Sequence, residues 1–104
     1  MAGKAQNFTQ RQHMLRPGYE IFRYCDSELG EVSLHHHDFY EIYLFLNGSV
    51  EYSIESRIYR LLPGYILLIG PMELHQPRIA KDHGPYERMV LWLDKRYLEQ
   101  LSTP

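Results

Sequence analysis

Cysteine is nearly absent from this chain. Only Cys25 among 104 residues carries a thiol, so no internal disulfide can form, and its neighbours Tyr24 and Asp26 supply no base or cation that would lower its pKa and make it a nucleophile. No run of about 20 apolar residues is present to span a bilayer, and nothing at the start resembles a secretory signal. A basic excess is lacking too. Eleven Lys+Arg stand against 13 Asp+Glu, for a net charge of −2, which leaves no footprint for a phosphate backbone, so this segment is not expected to bind DNA by itself. Internal repeats, low-complexity tracts and linkers are also missing. These absences together predict one cytoplasmic domain with no membrane contact.

What is present is aromatic and β-forming. Hydrophobic residues make up 44% of the chain, with nine tyrosines, four phenylalanines and one tryptophan against 23% charged residues, a balance that suits a β-rich fold with a lined cavity. Residues 1–18 are mixed and polar and read as a mobile arm ending at Pro17-Gly18. Strands are then expected at 19–25, at 31–34, from Phe39 to Leu46, at 50–55, 57–62, 65–69 and 75–79, and from Tyr86 to Leu93. The Asn47-Gly48 pair between an aromatic run and the alternating Val50, Tyr52 and Ile54 predicts a β-hairpin. Val90 to Leu93 is continuously apolar and is expected to be buried on both faces. Asp94 can cap a helix whose Tyr97, Leu98 and Leu101 share one side. Short strands with regular turns followed by one helix argue for a β-sandwich or barrel.

Three imidazoles and a carboxylate open the longest apolar run, His35-His36-His37-Asp38-Phe39-Tyr40-Glu41. In an extended chain alternate side chains share a face, so His35, His37, Phe39, Glu41, Tyr43 and Phe45 point one way, and His36, Asp38, Tyr40, Ile42 and Leu44 the other. Two neutral imidazoles and a carboxylate are the donor set of hydrolytic zinc sites and of the non-haem iron facial triad. His75 is a fourth candidate, if a neighbouring strand brings it to the same place. His36 and Asp38 are expected to be exposed or to stand behind the ligands, and His13 and His83 to be solvated.

The pattern His35-x-His37-x-x-x-Glu41-x6-Gly48 resembles the first cupin motif, and Pro63-Gly64-x5-Gly70-Pro71-x3-His75 is similar to the second. Over residues 19–94 the wording is closest to the N-terminal effector-binding domain of AraC-type transcription factors. Two positions depart from that pattern: Tyr65 stands where Asp is common, and Ile79 where the second motif usually has Asn. Neither change removes a ligand.

The resemblance implies an all-β cupin, a double-stranded β-helix or jelly-roll barrel with a short C-terminal helix, divided as an arm (1–18), an effector-binding domain (19–94) and the start of a dimerisation helix (95–104). It implies a metal set of His35, His37, Glu41 and His75 holding one divalent transition ion (Zn, Ni, Fe or Mn), or the same residues orienting an organic effector or a polar cluster. The ligand-binding residues expected are these four with Tyr43, Phe45 and Trp92, and the effector a small molecule, a sugar or related metabolite. The arm would fold over the pocket when effector binds, with Arg11, His13 and Arg16 as contacts, the alternative being an unstructured end. Two copies would pair through Tyr97, Leu98 and Leu101, unless these pack on their own barrel. DNA would be read by a C-terminal domain outside these 104 residues, and no catalytic residue is expected. The alternative is a metal-dependent cupin enzyme of dioxygenase or sugar-isomerase type.

Overall fold

The structure, a computed structural model, describes residues 5–9, 11–82 and 84–102. Seven strands and a helix follow in order: β1 (Tyr19–Asp26), β2 (Tyr40–Asn47), β3 (Val50–Ile54), β4 (Arg57–Arg60), β5 (Ile66–Ile69), β6 (His75–Ile79), β7 (Tyr86–Leu93) and α1 (Lys95–Ser102). They form two antiparallel sheets, β1-β7-β2-β5 and β4-β3-β6. This is the cupin barrel architecture expected from the motifs.

Strict alternation builds the core. β2 buries Glu41, Tyr43 and Phe45 and leaves Ile42, Leu44 and Leu46 half-buried, while β7 buries Tyr86, Arg88, Val90 and Trp92. Phe22 and Tyr24 of β1, Val50 and Tyr52 of β3, and Leu67 and Ile69 of β5 complete the interior. Each large apolar side chain enclosed this way contributes about 1.5–3 kcal/mol. Pro77, which cannot donate to a ladder, sits on the edge strand β6, where that loss is tolerated.

Three expectations are corrected. The segment 31–34 joins no sheet: Val32 is buried and its carbonyl accepts from Gln76 Nε2 at 2.8 Å, but between β1 and β2 the pairing is confined to a bridge from His35 to His75. Asn47-Gly48 turns the chain without making a hairpin, because β2 already has β7 on one edge and β5 on the other. The following strand therefore crosses to the second sheet, where Val50 pairs with Ile79. Gly48, with φ 136°, allows this crossing: a Cβ there would lie 3.2 Å from the Tyr86 ring and 3.3 Å from its Cα. The hairpin that does form is β3-β4, turning at Glu55 with φ 55°. Finally, β7 is not buried on both faces. Met89, Leu91 and Leu93 lie half-buried on the outside of the sheet.

The helix begins where Asp94 was expected to start it, its carbonyl accepting from Leu98 N–H at 3.0 Å. None of its residues is buried, and its ring contact is Tyr97 against Tyr19. Among the described residues no helix is long and apolar enough to cross a membrane.

Candidate metal and ligand site

Backbone pairing gathers the histidines. His35 and His75 exchange N–H to carbonyl bonds at 3.1 and 2.9 Å, and the His37 carbonyl accepts from Met72 N–H at 2.6 Å. Met72 takes φ 66°, a left-handed conformation unusual for a non-glycine residue. The β5–β6 loop is thus tied to the segment just before β2 that carries the motif's histidines. Its own turn is closed by Glu73, whose Oε1 accepts from Gly70 N–H at 2.6 Å.

His37, Glu41 and His75 come together, all buried, with one donor atom from each within 4.8 Å of the others. His37 Nδ1 lies 3.1 Å from the Phe39 carbonyl and His75 Nδ1 2.9 Å from the Glu73 carbonyl. A carbonyl only accepts, so each Nδ1 carries the proton in the neutral ring and each Nε2 keeps its lone pair. Those Nε2 atoms face Glu41 Oε1, at 3.1 Å from His37 and 3.9 Å from His75. Trp92 Nε1–H donates to the same oxygen at 3.2 Å. Burial lowers the His75 pKa to about 4, against the opposing pull of Glu41, so the ring is neutral at neutral pH, as a metal ligand must be. His75 Nε2 is buried without a hydrogen-bond partner among the described residues.

Two imidazole lone pairs directed at one carboxylate repel it unless a cation or a proton lies between them. The donor set therefore fits a divalent transition ion: three protein ligands with positions left open, and the Phe39 and Glu73 carbonyls fixing both tautomers. His35 stands outside this triad. Its Nδ1 bonds to the Ser33 carbonyl at 2.7 Å and its ring lies edge-on to His75 with centroids 4.1 Å apart.

A cavity of about 40 Å³ opens beside the triad between the sheets. Of the predicted ligand residues, His35, Glu41, Tyr43 and Trp92 line it, whereas His37, Phe45 and His75 do not; Phe45 is fully enclosed in the core. His36 and Asp38 are exposed, as their parity requires, and His83 lies outside the described residues.

Several lining residues escaped the sequence reading. Tyr52 and Tyr86 have inward parity that an alternating pattern could have shown, but nothing in the sequence marked them as more than core. Burial pushes the Tyr86 pKa up to about 12 and raises those of Tyr43 and Tyr52 well above the ordinary value. These phenols are therefore neutral, and the Tyr43 and Tyr86 hydroxyls bond each other. Arg88 was the stronger signal: a charged residue at an inward position of an apolar strand. It is 2% exposed, donates from Nη1 to Asp26 Oδ2 at 2.7 Å, and lies over the Tyr86 ring at 4.0 Å and the Tyr24 ring at 4.8 Å.

The chain matches the family of AraC-like ligand binding domains over residues 16–102. It belongs to that family. A search of curated protein sequences found no match. Among solved structures this AraC-like domain is similar to the plu4264 protein of Photorhabdus luminescens, at 18% identity and TM-score 0.64, covering 86% of this chain and 77% of the other. A cupin protein of Bacteroides fragilis aligns at 21% identity and TM-score 0.64 over 89% and 86% of the two chains. The DMSP lyase DddQ of Ruegeria pomeroyi aligns at 23% identity and TM-score 0.65, over 86% of this chain but only 42% of the lyase. At these identities the likeness is one of fold.

The arm of this AraC-like domain lies against its own barrel. Gln6 pairs with the β1 edge, bonding Arg23 O and Cys25 N at 2.8 and 2.9 Å, and Phe8 N–H reaches the Asp26 carboxylate. Phe8 and Gln12 then form part of the cavity wall. Of the arm contacts expected, Arg11 bonds Glu20 at 2.9 Å and sits 5.3 Å above the Trp92 ring, Arg16 N–H reaches Glu20 Oε2 at 3.4 Å, and His13 is exposed.

Glu20 is the anchor of this return. Burial works against its charge, but the Arg11 guanidinium and the N–H groups of Leu15 and Arg16 outweigh it and hold the carboxyl below the ordinary 4.5. The folded value lies below the unfolded one, so this contribution is complete above about pH 4.5 and is lost as pH falls through the lowered value. The Leu15 amide, 2.7 Å from Glu20 Oε2, reports the change. Its proton resonance is expected to move upfield on acidification and to sit at the acid position at every pH in Glu20→Gln. A Leu15 resonance that still titrates in that variant would show that Glu20 does not hold the arm.

Proposed function

We propose that this chain is the sensory domain of a transcriptional regulator, binding a small metabolite of sugar character between its two sheets and passing its occupancy to a DNA-binding domain. The observation that carries the reading is the cavity. Aromatic rings of Trp92 and Tyr52, hydroxyls of Tyr43 and Tyr86, and the carboxylate of Glu41 converge there under a wall contributed by the arm. Rings suit sugar C–H faces, and the polar groups suit hydroxyls. Gln12 Oε1 is buried without a hydrogen-bond partner among the described residues, an acceptor ready for a ligand hydroxyl. A space of about 40 Å³ holds a few waters, so an effector requires Phe8 and Gln12 to yield. Occupancy and arm position are then the same equilibrium, and a coupling of about 1–3 kcal/mol is typical of such switches.

His37, Glu41 and His75 hold one divalent transition ion in this reading, as part of the sensor and not for turnover, and two copies of the cytoplasmic regulator pair. The test is a thermal-shift screen of neutral sugars, sugar acids and unrelated metabolites. A sugar at 100 times its Kd is expected to stabilise the fold by about 2.7 kcal/mol. Gln12→Leu should weaken that sugar about tenfold, near 1.4 kcal/mol. If no sugar shifts the melting temperature while another ligand class does, the sugar assignment falls. Turnover of a substrate by the metal-loaded protein would favour an enzyme.

A further inference from the structure

The β5–β6 connection touches both triad histidines. Gly70 and Glu73 bond twice: Glu73 N–H donates to the Gly70 carbonyl at 3.2 Å, and Gly70 N–H donates to Glu73 Oε1 at 2.6 Å. Between them Pro71 takes the second position and Met72, at φ 66°, the third, the pattern of a type II turn, whose third position favours glycine. A methionine in that left-handed region is strained, and such a residue persists only where its surroundings fix it. Met72 N–H donates to the His37 carbonyl at 2.6 Å, and the next carbonyl along, that of Glu73, accepts from His75 Nδ1 at 2.9 Å. Two consecutive residues of one turn thus hold the backbone of one histidine and the ring of the other.

We propose that Glu73 is a positioning residue of the triad: its carboxylate clamps the turn, the clamped turn aims the Glu73 carbonyl at His75 Nδ1, and the proton held there leaves the Nε2 lone pair free for an ion. The proposal rests on the reading of His37, Glu41 and His75 as a metal donor set and deepens it. Glu73 itself stands outside the donors that lie within 4.8 Å of one another, its side chain turned to Gly70. Its carbonyl has no freedom of its own, because the peptide plane that it shares with Leu74 carries it. Beyond that plane the backbone is already pinned: the Leu74 carbonyl accepts from Glu55 N–H at 2.7 Å, and His75 exchanges bonds with His35. Before it lies the turn, and the side chain that closes the turn is Glu73. A neutral imidazole carries its one proton on either nitrogen. Released from the carbonyl, the His75 ring can carry it on Nε2 instead, facing Glu41 Oε1 at 3.9 Å, and that tautomer occupies the lone pair that a metal needs.

Nitrogen NMR of the imidazoles in metal-free protein at neutral pH tests this, together with zinc affinity measured against a competing chelator. The wild type is expected to show His75 protonated at Nδ1. Glu73→Ala, which opens the clamp, should populate the Nε2–H tautomer and weaken zinc about 10–100-fold, the usual effect of losing a partner that orients a ligating histidine. Glu73→Gln keeps an acceptor oxygen in the same place and should return both readings to those of the wild type. If circular dichroism shows Glu73→Ala unfolded, Glu73→Asp, one methylene too short to reach Gly70 N–H, carries the same comparison. His75 still protonated at Nδ1 in the opened variant overturns the proposal whether or not zinc affinity falls, since Glu73 then only stabilises the turn. A wild type without zinc affinity would remove the metal reading, and the tautomer comparison would still decide the role of Glu73.

Discussion

Arg88→Met is expected to cost about 3–5 kcal/mol, the range for breaking a buried ion pair by removing one partner, and to lower Tm by roughly 15–30 °C for a domain of this size. The reason is what remains. Asp26 is 7% exposed and loses the 2.7 Å bond from Arg88 Nη1, leaving a buried carboxylate held by Phe8 N–H at 3.2 Å. The guanidinium also lies over the rings of Phe8, Tyr24 and Tyr86, contacts that a thioether reproduces only in part. Pairing the substitution with Asp26→Leu removes the stranded charge, so the double variant should recover most of the loss. Urea unfolding of the four proteins closes the cycle. A single variant within about 1 kcal/mol of wild type, the range of an exposed pair, would mean that Asp26 finds water instead.

The second large effect concerns the triad. Protein purified without an affinity tag is expected to gain about 2.7 kcal/mol of stability at a metal concentration 100 times its Kd, read as a rise in Tm with zinc, nickel, iron or manganese. His75→Ala should abolish that rise. This substitution removes a ring whose Nε2 has no hydrogen-bond partner among the described residues, so the metal-free protein loses packing but no bond from that atom. Glu41→Gln should weaken the metal while keeping the shape and an acceptor for Trp92 Nε1–H, which now donates at 3.2 Å. If added metal leaves Tm unchanged and the purified protein carries no stoichiometric ion, the triad is a polar cluster that serves the organic effector alone.

The arm and the β2–β3 connection show where sequence reading stops. Residues of the arm lack any period because they match no sheet of their own; they follow an edge, a charge at Glu20 and a ring at Tyr24, each supplied by β1. Asn47-Gly48 encodes a reversal but not the sheet that receives the next strand. That depends on whether β2 has a free edge, and it has none. His35 has the right parity for the metal set and, like His37 and His75, turns its Nδ1 to a backbone carbonyl; what sets it apart is position, since the donor atoms that lie within 4.8 Å of one another are those of His37, Glu41 and His75, a spacing in three dimensions that the sequence does not reveal.

The resemblance to the second cupin motif implied the return of His75; period alone determined the β architecture, the inward parity of His37 and Glu41, and the outward parity of His36 and Asp38. These are local properties: a side chain's face follows from its place in an extended chain. Tertiary structure decided the rest. It brought the donor atoms of His37, Glu41 and His75 within 4.8 Å of one another, placed Arg88 and the arm in the cavity wall, and left hydrophobic side chains on the outside of one sheet. Each of these depends on which strands become neighbours, and strand neighbours are set by packing between segments far apart in the chain.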